Sequence, residues 1–450
     1  MHRRGFLEAA AGAAATAALA GRVFAAPRDE PTRVALIGTG WYGKTDLFHL
    51  IQVAPAVEVV GLCDVDRHLV EEAADLVGKR QPSRNKPPTY GDYRKLLAEQ
   101  RPEIVLIGTP DHWHCLPMVE ACKAGADVYV QKPVSWDVVE GQAMLAAARK
   151  YGRTVQVGLQ RRSTPHLLEA RDRFITAGRL GKIAYIDIHS YYGSPRRFPP
   201  EEKPPAHLDW ERYVGPAPWR DYSPGIHPRR WRACREFSNG QTGDLCVHFL
   251  DVVRYVLGLG WPRSISATGG ILMRPPDSNV NTHDTQTALF DYGDVQVVWT
   301  QRNWGENPDP KYPWGATLYG DKGTLKLSVR EYDFIPHGKG EPVHGDYRDE
   351  RAAYPEDVQH KPTELFAAPA TRRHMKNFLE ARRRGERPVA DIEEGYISSA
   401  CCILANLSME LGRSLAWDAA TGRVVGDDDA NRRLARTYRG DWTHPTPGTV

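Results

Sequence analysis

Three polar side chains in this 450-residue sequence have the types and spacing needed for acid–base chemistry. Asp244 and His248 are separated by one helical turn, which predicts that both side chains lie on one face of a helix. An acid can orient a histidine and set its tautomer, so the pair predicts a general base for an alcohol. Lys132, followed by Pro133, ends a predicted strand and could donate to a hydroxyl oxygen or take its proton. The plainer alternatives are a capping aspartate, a core histidine and a solvated loop lysine.

A glycine-rich stretch follows the first apolar run of the chain. Residues 33–37 lead into glycines spaced G-x-G-x-x-G at Gly38, Gly40 and Gly43. Glycine there permits a tight turn, leaves room for a pyrophosphate and lets the next helix pack close to the strand. Asp64 ends a second apolar run about 20 residues later, where a ribose-binding carboxylate is expected. The pattern predicts a dinucleotide site, and a glycine-rich turn with a surface acid is the alternative.

The elements that must position these residues continue as alternating strands and helices. Further apolar runs indicate strands at 104–107, 128–130 and 155–157. Amphipathic stretches between the runs indicate helices, which predicts an α/β fold with a parallel sheet covered on both faces. Ligands of such sheets bind beyond the carboxyl ends of the strands. The loops at Thr109 and Gln131 leave from those ends, as the glycine loop does.

The second half of the chain has a different pattern, with polar alternation along its strands. Strands are expected at 183–192, 265–273, 285–291, 295–300, 316–319 and 324–329. Helices are expected at 249–257, 374–384 and 397–411. The turns between neighbouring strands predict an α+β domain with a large, mostly antiparallel open sheet. The segment Phe198–Trp231 is expected to be a long ordered loop covering the sheet or a partner, because its tryptophans need burial.

The first residues have the pattern of an export leader. Arg3 and Arg4 form a twin-arginine pattern, an apolar run covers 9–20, and small residues near Ala25 could end at a peptidase site. The alternatives are a disordered tail and a helical membrane anchor, although the run is short for a spanning helix. We expect export of the folded protein to the periplasm. The predicted divisions are a leader at 1–30, a Rossmann domain at 31–158, a substrate and oligomerisation domain at 159–425 and a tail at 426–450.

Composition excludes some classes of function. A formal net charge of +3 argues against a nucleic-acid binder, and no apolar stretch after the leader is long enough to cross a membrane. The seven cysteines stand mostly at apolar positions, which indicates buried thiols rather than disulfides. Four residues close in sequence fit no common zinc spacing, so no metal site is predicted at His112, His114, Cys115 and Cys122.

Together these motifs resemble the glucose-fructose oxidoreductase/inositol dehydrogenase/rhizopine catabolism family, called Gfo/Idh/MocA, over most of the chain from Val34 to about Trp442. The matching stretches are Thr109-Pro110-Asp111 with His114, Gln131-Lys132-Pro133, and Gly243-Asp244 with His248 and Asp251. They are similar, in that order, to the family's T-P-N…H, E-K-P and G-x-x-x-D-x-x-x-H motifs.

The resemblance implies a Rossmann domain followed by a domain whose open sheet commonly forms a dimer or tetramer interface. It implies a carbohydrate substrate and a tightly held NAD, with NADP disfavoured because Asp64 would repel a 2′-phosphate. The implied substrate contacts are the three catalytic residues Lys132, Asp244 and His248. By residue type, independently of the resemblance, five arginines are candidate anchors for a hydroxylated or anionic substrate, with plain surface arginines as the alternative: Arg161, Arg162, Arg229, Arg230 and Arg232. The implied cofactor contacts are Gly38, Thr39, Gly40, Trp41, Tyr42, Gly43, Asp64, Thr109, Pro110, His114, Gln131 and Gln160.

Two residues depart from the family pattern. Asp111 replaces the usual Asn, which would alter contacts to the nicotinamide. Gln131 replaces the usual Glu, and without that carboxylate we expect Lys132 to lose its proton more easily. The alternative is that Gln131 only forms a hydrogen bond to the ribose or the substrate.

Three functions are compatible with these residues. The first is an exported NAD-dependent dehydrogenase of a sugar, polyol or glycoside, in which His248 takes the hydroxyl proton, Asp244 orients His248 and Lys132 polarises the oxygen. The second is a glycoside hydrolase or lyase that recycles NAD, which the lack of an external NAD pool favours. It would need a further acid or base, and the candidates are His189, Tyr191 and Tyr192. The third is a catalytically silent sugar-binding relative.

Overall fold

The computed structural model describes residues 30–54, 56–359 and 362–450, so all but the last residue of the predicted leader lies outside it. These residues form two sheets, one of six strands and one of ten. Within the described ranges, no helix combines the length and apolarity needed to cross a lipid bilayer.

The first sheet is parallel throughout, in the order β3-β2-β1-β4-β5-β6. Its strands are β1 Thr32–Ile37, β2 Val57–Cys63, β3 Thr89–Tyr90, β4 Ile104–Ile107, β5 Asp127–Val130 and β6 Val155–Val157. The helices are α1 Trp41–Val53, α2 Arg67–Arg80, α3 Tyr93–Gln100, α4 Cys115–Lys123 and α5 Val138–Lys150. Strand order reverses between β1 and β4, and the loops that follow these two strands therefore border the crevice where ligands of such sheets bind.

The second sheet has the order β14-β13-β12-β11-β7-β10-β9-β8-β15-β16, and only β7 and β10 pair in parallel among its described strands. Its first strands are β7 Ile183–Ser190, β8 Ser264–Gly270, β9 Thr285–Asp291, β10 Gln296–Arg302 and β11 Trp314–Gly320. The others are β12 Gly323–Ser328, β13 Glu331–Pro336, β14 Val343–Asp346, β15 Leu415–Asp418 and β16 Arg423–Val424. The predicted fold class is confirmed, and the last four of these strands were not predicted.

Six further helices lie in the described part of the chain that follows β6. They are α6 Pro165–Ala170, α7 Trp210–Val214, α8 Val247–Leu257, α9 Pro362–Arg384, α10 Ile392–Leu411 and α11 Asp428–Arg432. Helix α9 begins well before the predicted start at His374, because it continues through Pro369 where proline predicts a break. Met375 and Phe378 of α9 pack with Leu47 and Leu50 of α1, so the late part of the chain returns to the dinucleotide domain.

A largely buried ion network connects the segment after β6 with helices α8 and α10. The guanidinium of Arg162 donates to both oxygens of Asp251 at 2.7 Å and to Glu394 at 2.9 Å. Arg254 donates to the same glutamate at 3.1 Å. Bidentate pairing of this kind compensates buried charge, so Arg162 holds α8 and α10 in place rather than contacting a substrate.

The segment Phe198–Trp231, which we call the strap, folds back over the dinucleotide domain. The backbone amide of Asp209 donates to Val65 O at 3.0 Å, and that of Arg67 donates to His207 O at 3.0 Å. Trp210 and Trp231 of the strap are buried, as expected, in a cluster with Phe198, Tyr213 and Tyr222. The third tryptophan of the strap, Trp219, is 48% exposed, contrary to the expectation. The strap therefore covers the crevice of the first sheet rather than the face of the second.

The C-terminal tail adds a second cover on the same side. The Trp442 ring lies edge-on to Trp113 with centroids 5.1 Å apart, and the amide of Arg439 donates to Pro216 O at 3.0 Å. Arg436 pairs with the buried Glu140 at 3.1 Å. These contacts hold the tail against both the strap and helix α5.

All seven cysteines are buried free thiols, as predicted.

Candidate active site

The glycine loop has the shape that its spacing predicts. Gly38 adopts φ +88°, and a Cβ there would meet Thr109 N at 2.6 Å. A Cβ at Gly43 would meet Gly38 O at 2.0 Å, so only glycine lets helix α1 start this close to the strand. Nothing lies within 4 Å of a Cβ built at Gly40, which leaves open space beside the N-terminus of the helix. That space and the helix N-terminus are what a pyrophosphate requires.

Asp64 stands at the end of β2, at the edge of the same space. Its Oδ2 accepts from Thr39 N at 2.7 Å and from Thr39 Oγ1 at 3.1 Å, and its Oδ1 accepts from Asp66 N at 3.0 Å. Burial raises the pKa of the Asp64 carboxyl, although these hydrogen bonds favour its ionised form and act in the opposite direction. A carboxylate has about four acceptor positions, so capacity remains for ribose hydroxyls. The residues therefore fit a dinucleotide with a free 2′-hydroxyl.

One cavity of about 650 Å³ connects the glycine loop with the predicted catalytic residues. The predicted site residues that line it are Gly38, Gly40, Trp41, Tyr42, Asp64, Thr109, Pro110, Gln131, Lys132, Gln160, Arg161, Arg232, Asp244 and His248. Thr39, Gly43 and His114 lie behind this surface. The strap contributes His227 and Arg229 to the lining, Arg232 directly follows the strap, and the tail contributes Trp442.

Lys132 and Asp244 form the charged centre of the cavity. Lys132 Nζ donates to Asp244 Oδ1 at 2.5 Å and to the backbone oxygen of Asp244 at 2.6 Å. Arg232 Nε lies 3.1 Å from the same Oδ1. Burial alone would raise the pKa of the Asp244 carboxyl, but the two cations hold it well below its usual value. Asp244 is therefore ionised and shared between Lys132 and Arg232.

His248 is buried beside this centre without a hydrogen bond to Asp244 among the described contacts. Its ring lies edge-on to Trp314 with centroids 5.5 Å apart, and its Nδ1 has no partner. Burial, followed by the charges of Lys132 and Arg161, holds the pKa of His248 well below its usual value of 6.5. The imidazole is therefore neutral and able to accept a proton.

The expectation that Asp244 orients His248 is corrected by this geometry. Residues Thr242–Cys246 form a π-helical turn, and the α-helix begins only at Val247. The wider turn breaks the 3.6-residue period on which the one-face argument rests. Two cations also bind a carboxylate more strongly than a neutral imidazole does. Asp244 thus positions Lys132 instead of His248.

Gln131 has a buried acidic partner that sequence reasoning missed. Its Nε2 donates to Asp46 Oδ2 at 2.6 Å, and burial raises the pKa of Asp46 to about 8. Asp46 is therefore protonated at neutral pH, and the Gln131–Asp46 pair brings no charge to the side of Lys132. The only signal in the sequence is one acid between apolar residues of the helix after the glycine loop.

The loop after β4 places His114 behind the cavity wall and Asp111 in the cavity lining. His114 lies between Pro133 O, 2.7 Å from its Nδ1, and Thr109 O, 3.0 Å from its Nε2, and burial lowers its pKa to about 4. It therefore links the Thr109 loop to the Lys132 loop from behind the cavity wall. Asp111 lines the cavity, and burial raises its pKa to about 7 against the charges of Arg232 and Lys132.

The further acid–base candidates lie outside the cavity lining. His189 Nε2 is 2.9 Å from Tyr312 O, and the rings of His189 and Tyr191 stack with centroids 5.4 Å apart. The ring of Tyr192 lies 6.2 Å from that of Trp314, on the solvent side. Asp111, in contrast to these three candidates, is a titratable group within the cavity lining.

Two models of one protein family match most of this chain. Residues 32–159 match the model of the GFO_IDH_MocA oxidoreductase family with its NAD-binding Rossmann fold, and residues 173–416 match that of its C-terminal alpha/beta domain. The scyllo-inositol 2-dehydrogenase (NAD(+)) of Bacillus subtilis is 26% identical over 87% of this chain and 97% of its own. Glycosyl hydrolase family 109 protein 1 of Akkermansia muciniphila is 31% identical over 26% of each chain.

Solved structures agree on the fold. The WlbA dehydrogenase from Bordetella pertussis, in complex with NADH and UDP-GlcNAcA, has a TM-score of 0.64 at 19% identity, covering 87% of this chain and 99% of that one. The glycine loop, the carboxylate at the end of β2 and the two matched domains point to one conclusion: the chain belongs to the Gfo/Idh/MocA family of NAD-binding oxidoreductases.

Proposed function

We propose that this protein oxidises a secondary hydroxyl of a sugar, polyol or glycoside and transfers the hydride to NAD⁺. The observation that carries the proposal is the Lys132–Asp244 pair beside a neutral His248, in the cavity that also holds the glycine loop. The inositol dehydrogenases among its relatives support the substrate class.

The residues divide the work as follows. His248 accepts the hydroxyl proton, because its imidazole is neutral. Lys132 uses two donor hydrogens on Asp244 and keeps a third for the substrate oxygen, whose developing negative charge it stabilises. Asp244 holds Lys132 in that position. When bound, NAD⁺ supplies the hydride acceptor.

The experiment that tests this proposal is a screen of the purified protein with NAD⁺ and a panel of hexoses, hexuronates, inositols and aryl glycosides. We expect NADH from at least one compound, and we expect Lys132→Ala and His248→Ala each to lower turnover at least about a hundredfold, the scale of lost acid–base catalysis. NAD binding should survive both changes. Turnover near wild type in either variant would exclude that residue from catalysis.

The second candidate is glycoside cleavage with a recycled cofactor. Asp111 favours it, because a buried carboxyl with a pKa near 7 in the same cavity can serve as an acid or a base. The partial similarity to glycosyl hydrolase family 109 proteins supports it too. Release of aglycone without net NADH in the same screen would identify this reaction, and Asp111→Asn should then abolish it.

Tight retention of the cofactor is part of the proposal. The strap and the tail both contribute to the cavity lining, through His227, Arg229 and Trp442. A bound dinucleotide would leave only after these covers move. We expect the purified protein to retain nicotinamide nucleotide through dialysis, and complete loss on dialysis would contradict this part.

Export and self-association complete the proposal. The twin-arginine leader supports passage of the folded protein, with its cofactor, to the periplasm. The second sheet supports a homo-oligomer, because Tyr185, Tyr319 and Ile335 of its strands are each more than 40% exposed. A molar mass measured by light scattering decides the second point: a monomer at micromolar concentration would refute it.

A further inference from the structure

Arg161 is a buried cation without a counter-ion among the described residues. It is 7% exposed, it lines the cavity, and its Nε and Nη1 are buried without a hydrogen-bond partner. Burial lowers its pKa, and only the phenols of Tyr42 and Tyr192 act against that effect. The next residue, Arg162, is equally buried but fully paired with carboxylates. A guanidinium left unpaired in a low-dielectric site indicates an acceptor that arrives with a ligand.

The nearby charges do not compensate Arg161. Lys132 and Arg232 already share the single carboxylate of Asp244. The substrate end of the cavity therefore contains three cationic side chains, the ionised Asp244, and Asp111, whose raised pKa of about 7 leaves it only partly ionised at neutral pH. A neutral ligand would leave this excess positive charge in place, whereas an anionic group on the ligand would balance it.

The ring of Trp314 lies close to both Arg161 and the proposed base, His248. Arg161 Cζ lies 5.7 Å from the centroid of Trp314, and the ring of His248 lies 5.5 Å from the same indole. Both groups therefore lie against one indole ring, and all three side chains line the cavity. A ligand in that part of the cavity can reach Arg161 with one substituent and His248 with another.

We infer that the substrate is a sugar acid, whose carboxylate binds Arg161 while one of its hydroxyls faces His248. The inference rests on the proposed oxidation and names its substrate class. The planar guanidinium matches a carboxylate, which accepts two parallel N–H donors. A uronic acid is the simplest sugar with a carboxylate and secondary hydroxyls on one ring.

The test measures binding rather than turnover, so that it is independent of the reaction. NAD-loaded protein is titrated calorimetrically with D-glucuronate, D-galacturonate and D-mannuronate, each against its own hexose. We expect at least one uronate to bind about tenfold to a hundredfold more tightly than its hexose, the scale of a hydrogen bond to a charged group. Arg161→Met should bring that ratio to about one, and Arg161→Lys, which keeps the charge, should retain part of it.

The matched control is Arg383→Met, which removes an exposed guanidinium on helix α9, outside the cavity lining. It should leave the ratio within about twofold, since solvent screens an exposed charge. Three results would overturn the inference: no uronate preferred over its hexose, a preference that survives Arg161→Met, or a loss of NAD affinity in Arg161→Met that places the guanidinium on the cofactor. NADH formation is scored separately: tight uronate binding without NADH refutes only the oxidation, and oxidation of hexoses without uronate preference refutes only the sugar acid.

Discussion

Asp244 Oδ1 accepts from Lys132 Nζ at 2.5 Å, and this ion pair lies beside the predicted base without touching it. The pair places the lysine amine at the substrate end of the cavity and neutralises one of the cations there. His248 keeps its neutral form because the same cations, together with burial, oppose its protonation. One carboxylate thus controls the position of the lysine, while the lysine in turn influences the protonation of the histidine.

Asp244→Asn should lower kcat/KM at least about a hundredfold while NAD still binds. The amide keeps the shape but not the charge, so Lys132 and Arg232 would repel each other and the amine would lose its fixed position. Steady-state kinetics with NAD binding as the control measures this. Asp294→Asn, in an exposed turn, provides the matched change and should behave like wild type. Near-normal kinetics in Asp244→Asn would show that the ion pair is dispensable.

The acidic limb of the kcat/KM profile should lie below pH 6.5, the ordinary value for histidine. The reason is that His248 loses activity only when it is protonated, and its pKa is lowered. Asp111 has a pKa of about 7 in the same cavity, so the profile is best recorded in Asp111→Asn as well. A limb at or above pH 6.5 that persists in Asp111→Asn would argue against His248 as the base.

Asp46→Asn should stabilise the protein at alkaline pH relative to wild type. The folded pKa of Asp46 is raised from 3.8 to about 8, so its contribution to stability is fully present below pH 3.8 and is lost as pH rises toward 8. The loss for one proton is about 1.4 kcal/mol per pH unit at most. An asparagine does not titrate and can still form a hydrogen bond to Gln131.

The measurement for Asp46 is the melting temperature of both forms at several pH values. The difference between variant and wild type should grow from pH 5 to pH 8. A constant difference across that range would mean that Asp46 is already ionised in the folded state, so that its pKa is not raised. Gln131→Glu, which places a second acid opposite Asp46, should destabilise the protein, because two buried carboxylates cannot both ionise at this distance.

NAD should bind at least about tenfold more tightly than NADP, because Asp64 accepts from a 2′-hydroxyl and repels a 2′-phosphate. Titration of the nucleotide-free protein with both forms checks this. Asp64→Ser should narrow the difference by weakening NAD binding and removing the repulsion. Equal or tighter NADP binding by the wild type would reject the assignment of Asp64.

Changing Arg3 and Arg4 together to lysine should leave the protein in the cytosol with its leader uncleaved. The twin-arginine export machinery recognises this arginine pair. Lysine keeps the positive charge but lacks the guanidinium. Fractionation of cells that produce each form is the measurement, with a reporter fused to a twin-arginine leader as the positive control. Unchanged periplasmic yield of the variant would show that this pair does not direct export.

The elements around the glycine loop could be predicted because their signals are local. A buried strand, a glycine with φ +88° and a helix that starts at Trp41 all follow from neighbouring residues. The fold class follows in the same way, since apolar runs and polar alternation report the burial of each strand. The C-terminal strands β15 and β16 escaped prediction because runs of four and two residues carry too little periodicity.

The sequence by itself therefore determined the two kinds of sheet, the dinucleotide loop and the identities of the candidate catalytic side chains. Only the tertiary structure decided their partners, because Lys132 and Asp244 are 112 residues apart and Asp46 and Gln131 are 85 apart. Because Thr242–Cys246 form a π-helical turn, Asp244 pairs with Lys132 rather than with His248. The strap, which lies over the first sheet, forms part of the cavity wall. Burial depends on how the whole chain packs, so it cannot be predicted from local spacing. The buried, unpaired guanidinium of Arg161 is an example.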